Sequence, residues 1–167
     1  MDPAAIALVF CLGVLLAASA GLRAFLAPFA VGCAARFGWI HPAHELTWLG
    51  DGLVLGTLAV AIVAEVLSDK IPAVHHALDV LHLGLKPIAG ALAGTAMLSD
   101  ASPMLAWVAA IVAGGSLAGV THLAKAGLRV GSSAASVGAA APVHSLAEDG
   151  IALAMVAAAA VGMAFWG

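Results

Sequence analysis

Long apolar runs, each ended by one or two charges, set the pattern of this chain. No Asp, Glu, Lys or Arg occurs in 3–22, 24–35, 101–124, 130–147 or 150–167. A membrane-crossing helix needs about 20 mostly apolar residues. The runs therefore predict an all-α polytopic membrane protein, and the turn signals between them divide it into about five helical elements.

The first apolar stretch, 4–35, is too long for one ideal span. As a helix it would reach about 48 Å, against a hydrocarbon core of about 30 Å. Ser19, Gly21 and Pro28 offer places to interrupt it, so a discontinuous first element is expected, with Arg23 just past the break. A single tilted, kinked helix whose arginine snorkels to the interface satisfies the same pattern. Residues 37–42 close the element, and the polar connection after them holds His41, His44 and Glu45. That string lacks the helical His-Glu-x-x-His spacing of a zinc site.

Asp51-Gly52 opens a second span over 52–67, with the acid placed favourably for a helix N-terminus. Glu65 and Asp69 follow four residues apart, and the sequence through Lys70 to Pro72 turns into a third element, 73–98. His75, Asp79, His82 and Lys86 recur there at i, i+4, i+7 and i+11, which places them on one helix face. Pro87 should kink this element, and Gly90 and Gly94 give it a small-residue packing face. Residues 99–103 form the clearest turn. A fourth element begins with the apolar run 104–124 and continues into a Gly/Ala/Ser tract. The last span, 150–166, follows Glu148-Asp149-Gly150.

One hexapeptide occurs twice. Ala18-Ser19-Ala20-Gly21-Leu22-Arg23 returns as Ala124-Lys125-Ala126-Gly127-Leu128-Arg129, and each copy is followed by an Asp-Gly pair. The chain thus divides into a three-element unit, 1–100, and a truncated two-element copy, 101–167, within one membrane domain. Three single crossings between the copies would invert the second. That internal inverted repeat, with discontinuous first and fourth elements, is the favoured reading, although re-entrant hairpins would undo the parity argument.

Composition narrows the function classes. Hydrophobic residues make up 63% of the chain and charged residues 9%, where soluble domains carry about 25% charge. A net charge of −3 provides no basic surface for nucleic acid. Cys11 and Cys33 lie in apolar runs and suit helix packing better than a disulfide or metal set. The N-terminus lacks the basic segment of a cleaved signal peptide, so the first apolar segment is expected to be retained. No P-loop, dinucleotide fingerprint or zincin motif is present. An enzyme is therefore not expected, with an intramembrane lipid enzyme using His82 or His122 as a minor alternative, and no cofactor is implied.

Several separated blocks carry a resemblance. They are Gly21-Leu22-Arg23-Ala24-Phe25-Leu26 with Ala34-Ala35-Arg36-Phe37-Gly38, and Glu65-x-x-x-Asp69-Lys70-Ile71-Pro72 with Asp79 and Pro87-x-x-Gly90-Ala91-Leu92. Thr121-His122-x-x-Lys125-Ala126-Gly127-x-Arg129 and Ser145-Leu146-Ala147-Glu148-Asp149 complete the set. Together they resemble the bacterial membrane-protein family catalogued as domain of unknown function 4126. The resemblance implies a small integral membrane protein, in a bacterial inner membrane, and no particular activity. In that family's pattern the position of His75 is usually Asp and that of Lys86 usually Arg. The departure argues against a metal site at His75, Asp79 and His82.

The intramembrane charges give the functional expectation. A lone Lys or Arg in hydrocarbon costs about 2.5–3.5 kcal/mol on insertion scales. His122, Lys125 and Arg129 share a helix face by spacing, and with Arg23 they form a candidate pathway for a small ion or solute, anions slightly favoured. Glu65, Asp69, Lys70, Asp79, Glu148 and Asp149 would balance charge or couple protons. The expected protein is a small channel or transporter acting as a homo-oligomer, most simply a dimer. The alternative is a non-transporting scaffold or accessory subunit whose charges pair internally, Arg23 and Arg129 with Glu65 and Asp69.

Overall fold

The computed structural model describes residues 3–68, 72–98, 103–136 and 141–166. Asp69 and Lys70 lie outside the described residues, as do the side chains of His75, Asp79 and Arg129. Among the described residues all regular structure is helical. The protein is an all-α membrane protein. Pro3–Leu22, Ala106–Leu128 and Ser145–Phe165 are long and apolar enough to cross a bilayer, and His44–Gly50 with Gly52–Ser68, bent by 67°, makes a fourth candidate span.

The first element breaks at its arginine. Helix α1 (Pro3–Leu22) stops, residues 23–25 leave helical geometry, and α2 (Leu26–Arg36) resumes. Pro28 accounts for the position. In a continuous helix its ring would clash with the carbonyl of Ala24, and its missing N–H would leave that carbonyl unpaired. In the first turn of a new helix the absent N–H has no intrahelical partner to lose. Ser19 contributes from the other side: its hydroxyl donates to Leu16 O at 2.8 Å, and its carbonyl accepts the final N–H, from Arg23, at 2.8 Å.

A 3-10 turn (His44–Gly50) leads into α3 (Gly52–Ser68), where Asp51 Oδ1 accepts the Leu53 N–H at 2.8 Å and caps the helix. Helix α4 (Pro72–Ala96) runs on through Pro87. The fourth element is α5 (Pro103–Ala109), a π-helical turn (Ala110–Gly115) and α6 (Ser116–Ser136). The irregularity expected of this element lies at the π turn, and α6 continues unbroken through the second hexapeptide and Arg129. The last helix, α7 (Ala141–Trp166), begins nine residues before position 150. Glu148 and Asp149 consequently sit two turns inside it instead of capping its N-terminus.

Helix α1 is the centre of the bundle. Leu12, Leu16, Ala17 and Ala20 are buried where α4, α6 and α7 pack on it. The helices meet through small residues, as expected where no solvent drives apolar association. A Cβ on Gly90 would lie 2.6 Å from Gly114 O, and one on Gly114 2.7 Å from Gly90 O, so α4 and the π turn touch backbone to backbone. Gly21 sits as tightly against Ala118 O, with Thr121 Cβ 2.6 Å from where its Cβ would be. Large apolar side chains face outward, including Phe10, Leu53, Leu123 and Phe165. That is the surface a bilayer covers.

Candidate functional site: a buried charge network at the broken helix

Breaking a helix inside an apolar bundle creates a local electrostatic problem. The C-terminal carbonyls of α1 and the N-terminal N–H groups at α2 lose their intrahelical partners. In an apolar bundle, side chains of opposite character can take their place. Glu65 of α3 supplies the anion: its Oε1 accepts the Ala24 N–H at 2.9 Å. Lys125 of α6 supplies the cation, with Nζ 3.5 Å from Leu22 O. Each charge lies at the end of the helix dipole that favours it.

Arg23, inside the break, is buried. Its Nε donates to Asp149 Oδ1 at 2.6 Å, its Nη2 pairs with the same carboxylate, and its Nη1 donates to Glu65 O at 3.4 Å. One residue before Asp149 on α7, Glu148 Oε2 takes Lys125 Nζ at 3.0 Å. The early start of α7 makes this possible, since consecutive residues within a helix reach two cations on different neighbours. Arg23 pairs directly with Asp149 and bonds Glu65 through its backbone carbonyl, with its charge also acting on the Glu65 carboxyl; the Asp69 and Arg129 part of the scaffold expectation lies outside the described side chains.

Two histidines join the network from α4 and α6. His82 Nε2 is 3.7 Å from Glu65 Oε1, and His122 Nδ1 is 3.0 Å from Lys86 Nζ. If Lys86 is an ammonium, which can only donate, the His122 ring accepts at Nδ1 and carries its proton on Nε2. Lys86 is among the most completely buried side chains of the protein. The sequence placed it on the polar face of the third element but gave it no role at the site. Its i, i+4 spacing from His82 was the available signal.

Of the sequence-based candidates, the structure thus brings together Arg23, Glu65, His82, His122, Lys125, Glu148 and Asp149, and adds Lys86. With neutral histidines, three cations (Arg23, Lys86, Lys125) face three carboxylates (Glu65, Glu148, Asp149). No group of three or more His, Cys, Asp or Glu among the described residues is placed to hold a metal ion. His41, His44 and Glu45 are exposed in and beside the 3-10 turn, away from this network.

A family model described as Domain of unknown function (DUF4126) matches residues 10–162. That interval contains every side chain of the network. No curated protein and no solved structure matches the chain.

Proposed function

The chain belongs to the DUF4126 family, and from that premise, with its own charge network as the guide, we propose that it is a channel or transporter for a small ion or solute. One observation carries the reading: each of the five helical elements contributes ionisable side chains around a helix break, most of them buried. Fixing helix register does not require this. Replacing a buried ion pair with well-packed apolar residues is often neutral or stabilising, so eight titratable groups at a helix interruption are an expensive way only to hold helices together. Broken helices whose ends face polar groups are also the means by which membrane transporters bind ions within the bilayer.

An anionic cargo is favoured slightly. Arg23 and Lys125 present two cations at the break, and Asp149 and Glu148 occupy the places a small anion would take. Arg129 follows Lys125 by one helical turn and stays a candidate on spacing alone. Five elements make a small bundle for this role, and a homodimer is the simplest working unit.

The equality of cations and carboxylates favours a second reading, a scaffold whose charges are spent on each other. Flux assays in proteoliposomes separate the two. Wild-type protein is assayed for anion and proton flux, and Arg23→Gln alongside it. Transport predicts flux that the folded variant loses; no flux under any imposed gradient supports the scaffold.

A further inference from the structure

Glu65 is the most deeply placed acid of the network, with its side chain 1% exposed. Oε1 is committed to the Ala24 N–H at 2.9 Å. Oε2 is buried and makes no hydrogen bond among the described residues. A desolvated carboxylate oxygen without a donor is costly, and a proton on that oxygen removes the charge while leaving the bond to Ala24 intact. His82 Nε2 lies 3.7 Å from Oε1 of the same carboxyl, so exchange with Oε2 requires the carboxyl or the ring to rotate. We propose that Glu65 is the proton-binding site of this protein and that His82 exchanges the proton with it.

The surroundings of Glu65 suit that task. At the α1–α2 break it faces Arg23, whose guanidinium is held by Asp149 of α7. On α4 it faces His82, and one turn further on is Lys86, itself bonded to His122. On its own helix Ser68 Oγ donates to the Glu65 carbonyl at 2.8 Å and leaves the carboxyl untouched. Arg36 of α2, with His44 and Glu45 of the 3-10 turn, lies at the opposite end of α3. Asp69 and the Asp79 side chain are outside the described residues.

In the exchange, the Nε2–H bond of an imidazolium breaks, its electron pair stays on nitrogen, and an O–H bond forms on the carboxylate. The products are a neutral imidazole and a neutral carboxyl, so the charge of the pair is conserved. Loading a proton on Glu65 from outside instead leaves three cations against two carboxylates. That imbalance favours simultaneous uptake of an anion, and this consequence rests on the transport reading, whereas the proton site itself does not.

Infrared spectra of the full-length protein in lipid, recorded over a pH series, test the site. A protonated-carboxyl band that rises and falls with pH, and is lost in Glu65→Gln, is the expected result. Gln keeps an oxygen for the Ala24 N–H, which protects the fold. Labelling of the wild type with dicyclohexylcarbodiimide, which attacks protonated carboxyl groups, needs no variant at all; peptide mapping should place the adduct on Glu65. His82→Gln should keep the band and slow its exchange in deuterium oxide. A titrating band that persists in Glu65→Gln, or a Glu65 that stays unlabelled while other carboxyls react, overturns the proposal. A Glu65 band without any flux would uphold the proton site and remove the transport reading. Flux untouched by Glu65→Gln would uphold transport and remove Glu65 from its coupling.

Discussion

Ala18-Ser19-Ala20-Gly21-Leu22-Arg23 and Ala124-Lys125-Ala126-Gly127-Leu128-Arg129 are nearly the same peptide in two different structures. The first ends a helix and the second lies within one. What differs is the context a few residues away. Arg23 is followed five positions later by Pro28, which disfavours a helix through Ala24; the equivalent position after Arg129 is Ala134, a good helix former. The residue aligned with Ser19 is Lys125, and it leaves its own copy to meet Leu22 O and Glu148 at the first. The two glycines diverge as well. Gly21 is wedged against Ala118 and Thr121 of α6, whereas a Cβ on Gly127 would meet nothing within 4 Å. Flanking residues decide which copy ends a helix, and both copies contribute to the site, Arg23 from the first and Lys125 from the second.

The largest expected effect comes from breaking the pair that distinguishes the first copy. Asp149→Ala leaves Arg23 buried without its carboxylate and should lower stability by about 3–5 kcal/mol, read from reversible unfolding in detergent or lipid. Combining Arg23→Met with Asp149→Leu should recover most of that loss, because no uncompensated charge remains.

The glycines come next. Gly21→Ala has to push α6 away from α1 and should cost about 1–3 kcal/mol. Gly127→Ala should stabilise by about 0.5–1 kcal/mol, the ordinary preference of a helix interior for alanine. Equal effects from the two, measured side by side in the same unfolding assay, would contradict the different environments assigned to these copies.

The smallest effect compares the two Asp-Gly pairs. Asp51 caps α3 through the Leu53 N–H, so Asp51→Ala should cost about 1 kcal/mol, and Asp51→Asn should restore most of it because an amide oxygen also caps. Asp149→Asn should not be so lenient, since Arg23 requires charge and not merely an acceptor. The contrast between the two Asn variants, by thermal unfolding, distinguishes a cap from a buried ion pair.

Much of the architecture could be read from the sequence because it follows from hydrophobic length. The apolar runs gave the five elements, and the excess length of 4–35 with Pro28 at its far side gave the break at Arg23. The start of α7 was not legible: Glu148-Asp149-Gly150 has the composition of a helix opening, and only tertiary pairing with Lys125 and Arg23 makes it helix interior. The irregularity of the fourth element was hidden for a related reason. Gly114-Gly115 meets Pro87 and Gly90 across the bundle, and nothing local in the sequence marks a π turn there. Helical spacing placed His82 with Lys86 and His122 with Lys125, yet no local rule could say that Lys86 and His122 would face each other.

The central claim is that the charges around the first break serve passage of an ion or solute beyond holding helices together. Its most direct test is flux through proteoliposomes containing the paired replacement Lys125→Met with Glu148→Leu. This removes one cation and one carboxylate together, keeps the charge balance, and should leave a folded bundle. The account predicts that wild type conducts and that the folded double variant has lost flux. Wild-type flux retained in full by the double variant would contradict it, and would return these residues to the role of helix fasteners.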